Sequence, residues 1–164
     1  MYDIGTLVTY GRTGVCRVEQ VIRREGQDYY ALKPLYQSCD IFAPVDSGKV
    51  FIRPIISREE AHRLIDALPE MKAEPYEGVA LRDLPQHYQQ AMASHDCGDL
   101  FALTKSLYAK RQETARRKRK FGAVDERFMK LGEELLFGEL AAVLDIRPQE
   151  VPDYISRRLA GAES

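Results

Sequence analysis

Two periodicities divide the chain. Up to about residue 56, apolar and polar positions alternate in short runs; beyond it, apolar residues recur at helical spacing. In the first part, residues 7–10, 15–22, 29–33, 41–45 and 50–55 are rich in β-branched and aromatic side chains and predict five strands. Gly11-Arg12-Thr13-Gly14 and Glu25-Gly26-Gln27-Asp28 predict turns, the first with two glycines available for positive φ. Pro34, Pro44 and Pro54 fall at strand ends or edges, where a missing N–H is tolerated. Along 15–22 the alternation is only partial: Val15, Arg17, Glu19 and Val21 oppose Cys16, Val18, Gln20 and Ile22. One face is expected to be buried. Five short strands at this spacing predict a small, strongly bent barrel.

Past residue 56 the pattern predicts about five helices. Ser57 and Glu60 have capping-box spacing, and Ala61, Leu64, Ile65 and Leu68 form the stripe behind them, stopped by Pro69. Residues 71–78, with Pro75 and Gly78, predict a connector. Leu84-Pro85 opens a second helix with Tyr88, Ala91 and Met92 inward. A third starts at Gly98, with Asp99 as N-cap, and carries Leu100, Leu103 and Leu107 as its stripe, flanked by Phe101 and Tyr108. Asp125-Glu126 begin a fourth. It is apolar on much of its girth (Phe128, Leu131 and Leu135; Met129, Leu136, Leu140 and Val143) and so belongs at the centre of the bundle. A fifth starts at Pro148, with Val151, Ile155 and Leu159 inward and Gly161 as its C-terminal stop. The fold class expected is α+β, with a barrel over residues 1–56 and a helical domain over 57–164.

Length and composition permit a real core: 164 residues, 45% hydrophobic and 30% charged. The apolar runs are far too short for a membrane span, and the N-terminus has no basic, then apolar, leader pattern. Cys16, Cys39 and Cys97 are odd in number and widely spaced, as in a reduced, cytoplasmic protein.

The formal net charge of −1 hides its distribution. Between residues 105 and 120 stand eight basic residues and one acid, Glu113. Arg116, Arg117, Lys118, Arg119 and Lys120 are consecutive; on a helix they would point all the way round it, leaving no side to pack. Such a run is either a solvated face or a binding site for polyanion, and guanidinium forks suit phosphate. A second basic group lies on the strand-rich part: Arg23, Arg24, Lys49 and Arg53 near strand edges suit a protein partner, or simple edge protection.

Catalytic signatures are lacking. No phosphate loop, dinucleotide fingerprint or nucleophile elbow is present. His62, His87 and His95 are scattered, and His95 with Cys97 is too few ligands for a metal site. His95 reads as a helix C-terminal histidine, favoured there when charged. No cofactor, metal or small-molecule substrate is expected, and the chain is not read as an enzyme.

The order and spacing of certain residues resemble the CarD family of bacterial transcription regulators. They are Gly5, Val8, Tyr10, Gly14 and Val18; Pro44 and Arg53-Pro54-Ile55-Ile56-Ser57; and Tyr88, Gly98-Asp99 and Gly138-Glu139-Leu140-Ala141. The resemblance covers nearly the whole chain. It implies an N-terminal Tudor-like barrel, shared with the transcription-repair coupling factor, that binds the β subunit of RNA polymerase. It implies a helical bundle that touches promoter DNA just upstream of the melting bubble, and a regulator of open-complex stability rather than an enzyme. Arg24 falls where a family arginine contacts polymerase, and Phe42 stands where the family has a second. Leu84 falls at the position of the tryptophan that many members wedge into the minor groove; Gln86, His87 and Gln89 take the places of basic residues beyond it. The DNA-contacting set expected is Arg82, Leu84, His87, Arg116, Arg117, Lys118, Arg119 and Lys120. The alternative is a polymerase-binding adaptor with no DNA role.

Overall fold

A computed structural model describes residues 1–46, 48–72 and 80–161. The connector expected at 71–78, with Pro75 and Gly78, lies largely outside these.

Five strands form one antiparallel sheet: β1 (Leu7–Tyr10), β2 (Gly14–Arg24), β3 (Gln27–Pro34), β4 (Ile41–Pro44) and β5 (Ile52–Pro54). The spatial order is β4-β3-β2-β1-β5. The first turn works as its glycines suggest, with Gly11 at φ +47° and Gly14 at φ +91°. The sheet is not closed, which corrects the expected barrel: β4 and β5 are edges that do not pair. Both edge strands are short, and each ends on a proline that lacks the N–H a further rung would need.

The partial alternation of β2 has a physical cause. Its register against β3 shifts between Val18 and Gln20, a bulge centred on Glu19. Val18 pairs with Leu32 and Val21 with Tyr30, so both can face the core although three residues separate them. Val8, Cys16, Val18, Tyr30, Leu32 and Ala43 form the buried centre of this domain.

Five α-helices follow among the described residues: α1 (Arg58–Asp66), α2 (Leu84–Ala91), α3 (Cys97–Arg116), α4 (Ala123–Leu144) and α5 (Val151–Leu159). They share a second, larger core that draws on every helix, from Ala61 and Ile65 through Leu107 and Leu140 to Val151. Ser57 caps α1 as its spacing implies, its Oγ accepting from the Glu60 N–H at 3.0 Å. A short 3-10 turn, Pro148–Glu150, leads into α5. Leu159, expected inward, is exposed at the last turn of α5.

Two corrections concern α3. Its N-cap is Asp96, which accepts from the Gly98 N–H at 2.6 Å, and not Asp99. Gly98 lies inside the first turn; the break falls at His95, whose φ is +57°. At the other end α3 stops at Arg116, Arg117 is its C-cap and Lys118 adopts φ +57°. The basic run is therefore mostly a non-helical tip joining α3 to α4, not five cations around a helix. No helix among the described residues is long and apolar enough to cross a membrane.

Candidate functional site

Three groups of residues stand out: an outer face of the sheet, a junction between the domains, and the basic tip of the α3–α4 hairpin.

The outer face follows from the bulge. Without it, Arg24 would share the core-facing parity of Cys16 and Val18. With it, Ile22 and Arg24 turn to the face opposite Val21 and Tyr30. Ile22 pairs with Tyr29 across β3, Tyr29 with Pro44, and Ala31 with Phe42, so these side chains share one face. The Arg24 guanidinium lies over the Phe42 ring, 5.4 Å from its centroid. Ile22, Arg24, Glu25, Tyr29 and Phe42 line an open recess here. Arg23 lies on the face opposite Arg24, where it meets its cross-strand partner Asp28 at 3.4 Å and donates to the Gly26 carbonyl at 3.3 Å. Lys49 is exposed on the loop before β5.

Arg53, expected on the same protein-binding surface, is turned inward. Its guanidinium donates to both Glu139 oxygens at 2.7 and 2.8 Å, and its Nε donates to the His95 carbonyl at 2.9 Å. Glu139 is 1% exposed and also accepts from the Ile56 N–H at 3.0 Å. Hydrogen bonding to Glu139 holds the Arg53 guanidinium even more firmly protonated than usual. Beside it, the Tyr36 hydroxyl donates to the Gly138 carbonyl at 2.9 Å, and the absence of a Cβ at Gly138 leaves room for the Tyr36 ring. The sheet domain is thus fastened to α4 at two consecutive residues, 138 and 139. His95 stacks on Phe51 with centroids 4.5 Å apart. Burial, then Arg53 and Arg12, make it harder to protonate, so the charged helix-end role expected for it is disfavoured.

At the tip, Glu113 pairs with Arg116 at 2.5 Å and with Arg117 at 3.0 Å. No ion pair among the described residues engages the side chains of Lys118, Arg119 or Lys120, and all three are exposed. The tip stands on a buried network. Lys110 on α3 donates to Asp125 on α4 at 2.9 Å, and the Tyr88 hydroxyl on α2 donates to the same carboxylate oxygen. Burial first, and then Asp125, raise the Tyr88 hydroxyl above its ordinary value. Lys110, one of the eight basic residues between 105 and 120, is thus held by Asp125.

The remaining expected DNA-contacting residues are not gathered with the tip. Leu84, expected at the groove, is 5% exposed and packs in the helical core. The nearby exposed apolar residue is Leu81, on the 3-10 turn Leu81–Asp83 beside exposed Arg82. His87 is half-buried, and burial and Lys110 lower its affinity for a proton, so it supplies no standing positive charge at neutral pH.

Glu139 and Asp125 are the residues that sequence reasoning missed as functional parts. The signal for Glu139 was present: a lone acid between the apolar residues Phe137 and Leu140 on a helix destined for the core. Asp125 looked like an ordinary first-turn acid.

The open sheet, with its cationic and partly aromatic outer face, is joined through Arg53, Glu139 and Tyr36 to a helical bundle with a basic tip. Residues 2–56 match the family described as the CarD-like/TRCF RID domain, a polymerase-interacting domain. No curated protein matches the chain.

Proposed function

We propose that the protein is a transcription regulator that is not an enzyme. Its sheet domain binds the β subunit of RNA polymerase through the outer face around Arg24. Its helical domain contacts promoter DNA near the upstream edge of the bubble and so modulates open-complex stability. The observation that carries the reading is the family match over 2–56 together with the outward aim of Arg24, which the β2 bulge imposes. Three exposed side-chain cations at 118–120, without ion-pair partners among the described residues, support the DNA contact, since exposed cations on a non-helical tip can converge on one phosphate backbone.

Binding of the full chain to RNA polymerase, and then to polymerase on a promoter fragment, tests it. The reading requires polymerase binding, and tighter retention on the promoter complex than on polymerase alone. Lack of polymerase binding would remove the reading altogether. A second reading, an adaptor on polymerase without DNA contact, is favoured by the burial of Leu84 and the neutrality of His87. Equal retention with and without DNA selects it.

A further inference from the structure

The helical domain carries an open apolar groove with no part in polymerase or DNA contact. It runs between α3 and α4 and holds about 400 Å3. Phe101 and Tyr108 line it from α3, Met129, Leu136 and Phe137 from α4, and Leu159 of α5 borders it. Among the described residues of this domain three large hydrophobic side chains are exposed, Leu81, Tyr108 and Leu159, and the last two belong to this groove. Apolar side chains gathered on one concave surface mark an interaction site, whereas scattered ones do not.

Two charges stand on opposite walls, Lys105 on α3 and Glu133 on α4. Neither forms an ion pair among the described residues. They share one level of the hairpin, because the residues just before them touch: a Cβ placed at Gly132 would stand 3.1 Å from the Thr104 side chain. The Lys105 ammonium donates to the Leu68 carbonyl and, at 2.6 Å, to the Met71 carbonyl. Those bonds fix its position but neutralise no charge, and its third N–H is left to donate.

An occupant of the groove must therefore bring apolar side chains flanked by an acid on the α3 side and a base on the α4 side. A second copy of the same surface meets that requirement. A two-fold axis along the groove lays α3 of one copy over α4 of the other, so that Lys105 of each faces Glu133 of the other and both pairs form at once. Walls of one sign would repel their own copy; walls of opposite sign are self-complementary.

We propose that the α3–α4 groove is a self-association surface through which two copies of the chain pair about a two-fold axis. Tyr108, 49% exposed, is the apolar anchor each copy offers the other. The inference does not depend on polymerase docking, since the groove lies wholly on the helical domain. The axis runs along the hairpin, so the basic tips of both copies project at the same end. Pairing doubles the cations offered to a polyanion and sets like charges side by side, which keeps the dimer weak in the free chain.

Sedimentation velocity over a micromolar-to-millimolar series tests it. The wild-type chain should pass from monomer to dimer as concentration rises. Tyr108→Ser and Glu133→Lys should each weaken the dimer about tenfold or more, because one removes an apolar contact made twice and the other opposes like charges twice. Neither side chain is buried, so melting temperatures should stay near wild type and are compared first. Lys105→Glu should act as Glu133→Lys does. The decisive sample mixes these two charge variants: each alone should stay monomeric where wild type dimerises, and the mixture should dimerise, because every wall charge then meets its opposite. Lys105 also holds two carbonyls, so if Lys105→Glu melts early, Tyr108→Ser and Glu133→Lys decide the matter. A monomer throughout the series would overturn the proposal. So would a dimer that Tyr108→Ser and Glu133→Lys leave intact, since its interface would lie elsewhere. A mixture of folded charge variants that stays monomeric would overturn the two-fold pairing of Lys105 with Glu133.

Discussion

Arg53 on β5 and Glu139 on α4 meet through two parallel hydrogen bonds of 2.7 and 2.8 Å, although 86 residues separate them. The pair is the fastening between the two domains, because Glu139 also takes the Ile56 N–H of the connecting segment. A sheet domain docked on one partner would thus hold the helical tip in a fixed direction rather than on a swivel.

Removing one member of that pair should be costly. Glu139→Ala leaves the Arg53 guanidinium without its partner and is expected to destabilise the chain by about 3 kcal/mol, read as a lowered denaturant midpoint. Replacing both, as Arg53→Met with Glu139→Leu, should cost much less, because no uncompensated charge remains. Equal losses for the single and double variants would show that the pair is not the fastening.

Acid should weaken the fold through its histidines. Burial is the first cause lowering the proton affinity of His62, His87 and His95, with nearby arginines or Lys110 adding to it. A histidine harder to protonate when folded means that the unfolded chain binds more protons below the ordinary value of 6.5. Stability is therefore complete above that value and falls as pH drops beneath it. The carboxylates held low by arginines, at Glu60, Asp66, Glu113 and Glu150, act only further down. The melting temperature should drop by several degrees between about pH 7.5 and pH 5.5. His95→Gln should flatten part of that drop, and an unchanged profile would remove His95 from the account.

Thiol reactivity should separate the three cysteines, all of which are free. Cys39 is exposed, whereas burial pushes the Cys16 thiol up to about 11 and that of Cys97 higher still. A thiol reagent should label one cysteine quickly in the folded chain and all three after denaturation. Rapid labelling of two or three in the folded state would contradict the buried placement of Cys16 and Cys97.

The phosphate contacts of the tip can be counted by salt. Changing residues 116–120 all to Gln should flatten the slope of log K against log salt by about 2 to 3, at roughly 0.9 for each phosphate released. The loss should be similar on all sequences, because such contacts position without specifying. The wild-type slope in the five-Gln chain, on free and on polymerase-bound DNA, would make the run a solvated surface.

What the sequence made legible follows from local physics. The strand runs, the Ser57 cap and the inward faces of α3 and α4 were readable because alternation, capping and helical stripes are properties of neighbouring residues. The closed barrel was not, because closure depends on whether β4 and β5 meet, and nothing local to either strand states that. The bulge at Glu19 showed only as faulty alternation, yet it decides which way Arg24 points. Arg53 looked like a binding cation because its partner, Glu139, is 86 residues away. Leu84 followed the family position, while the helical core claimed it.

The lifetime of the open complex between RNA polymerase and a promoter, with and without this protein, tests the central claim most directly. The wild-type chain should change that lifetime several-fold, Arg24→Glu should abolish the effect, and the five-Gln chain should lose most of it while still binding polymerase. A protein that binds polymerase through Arg24 yet leaves the lifetime unchanged would contradict the account.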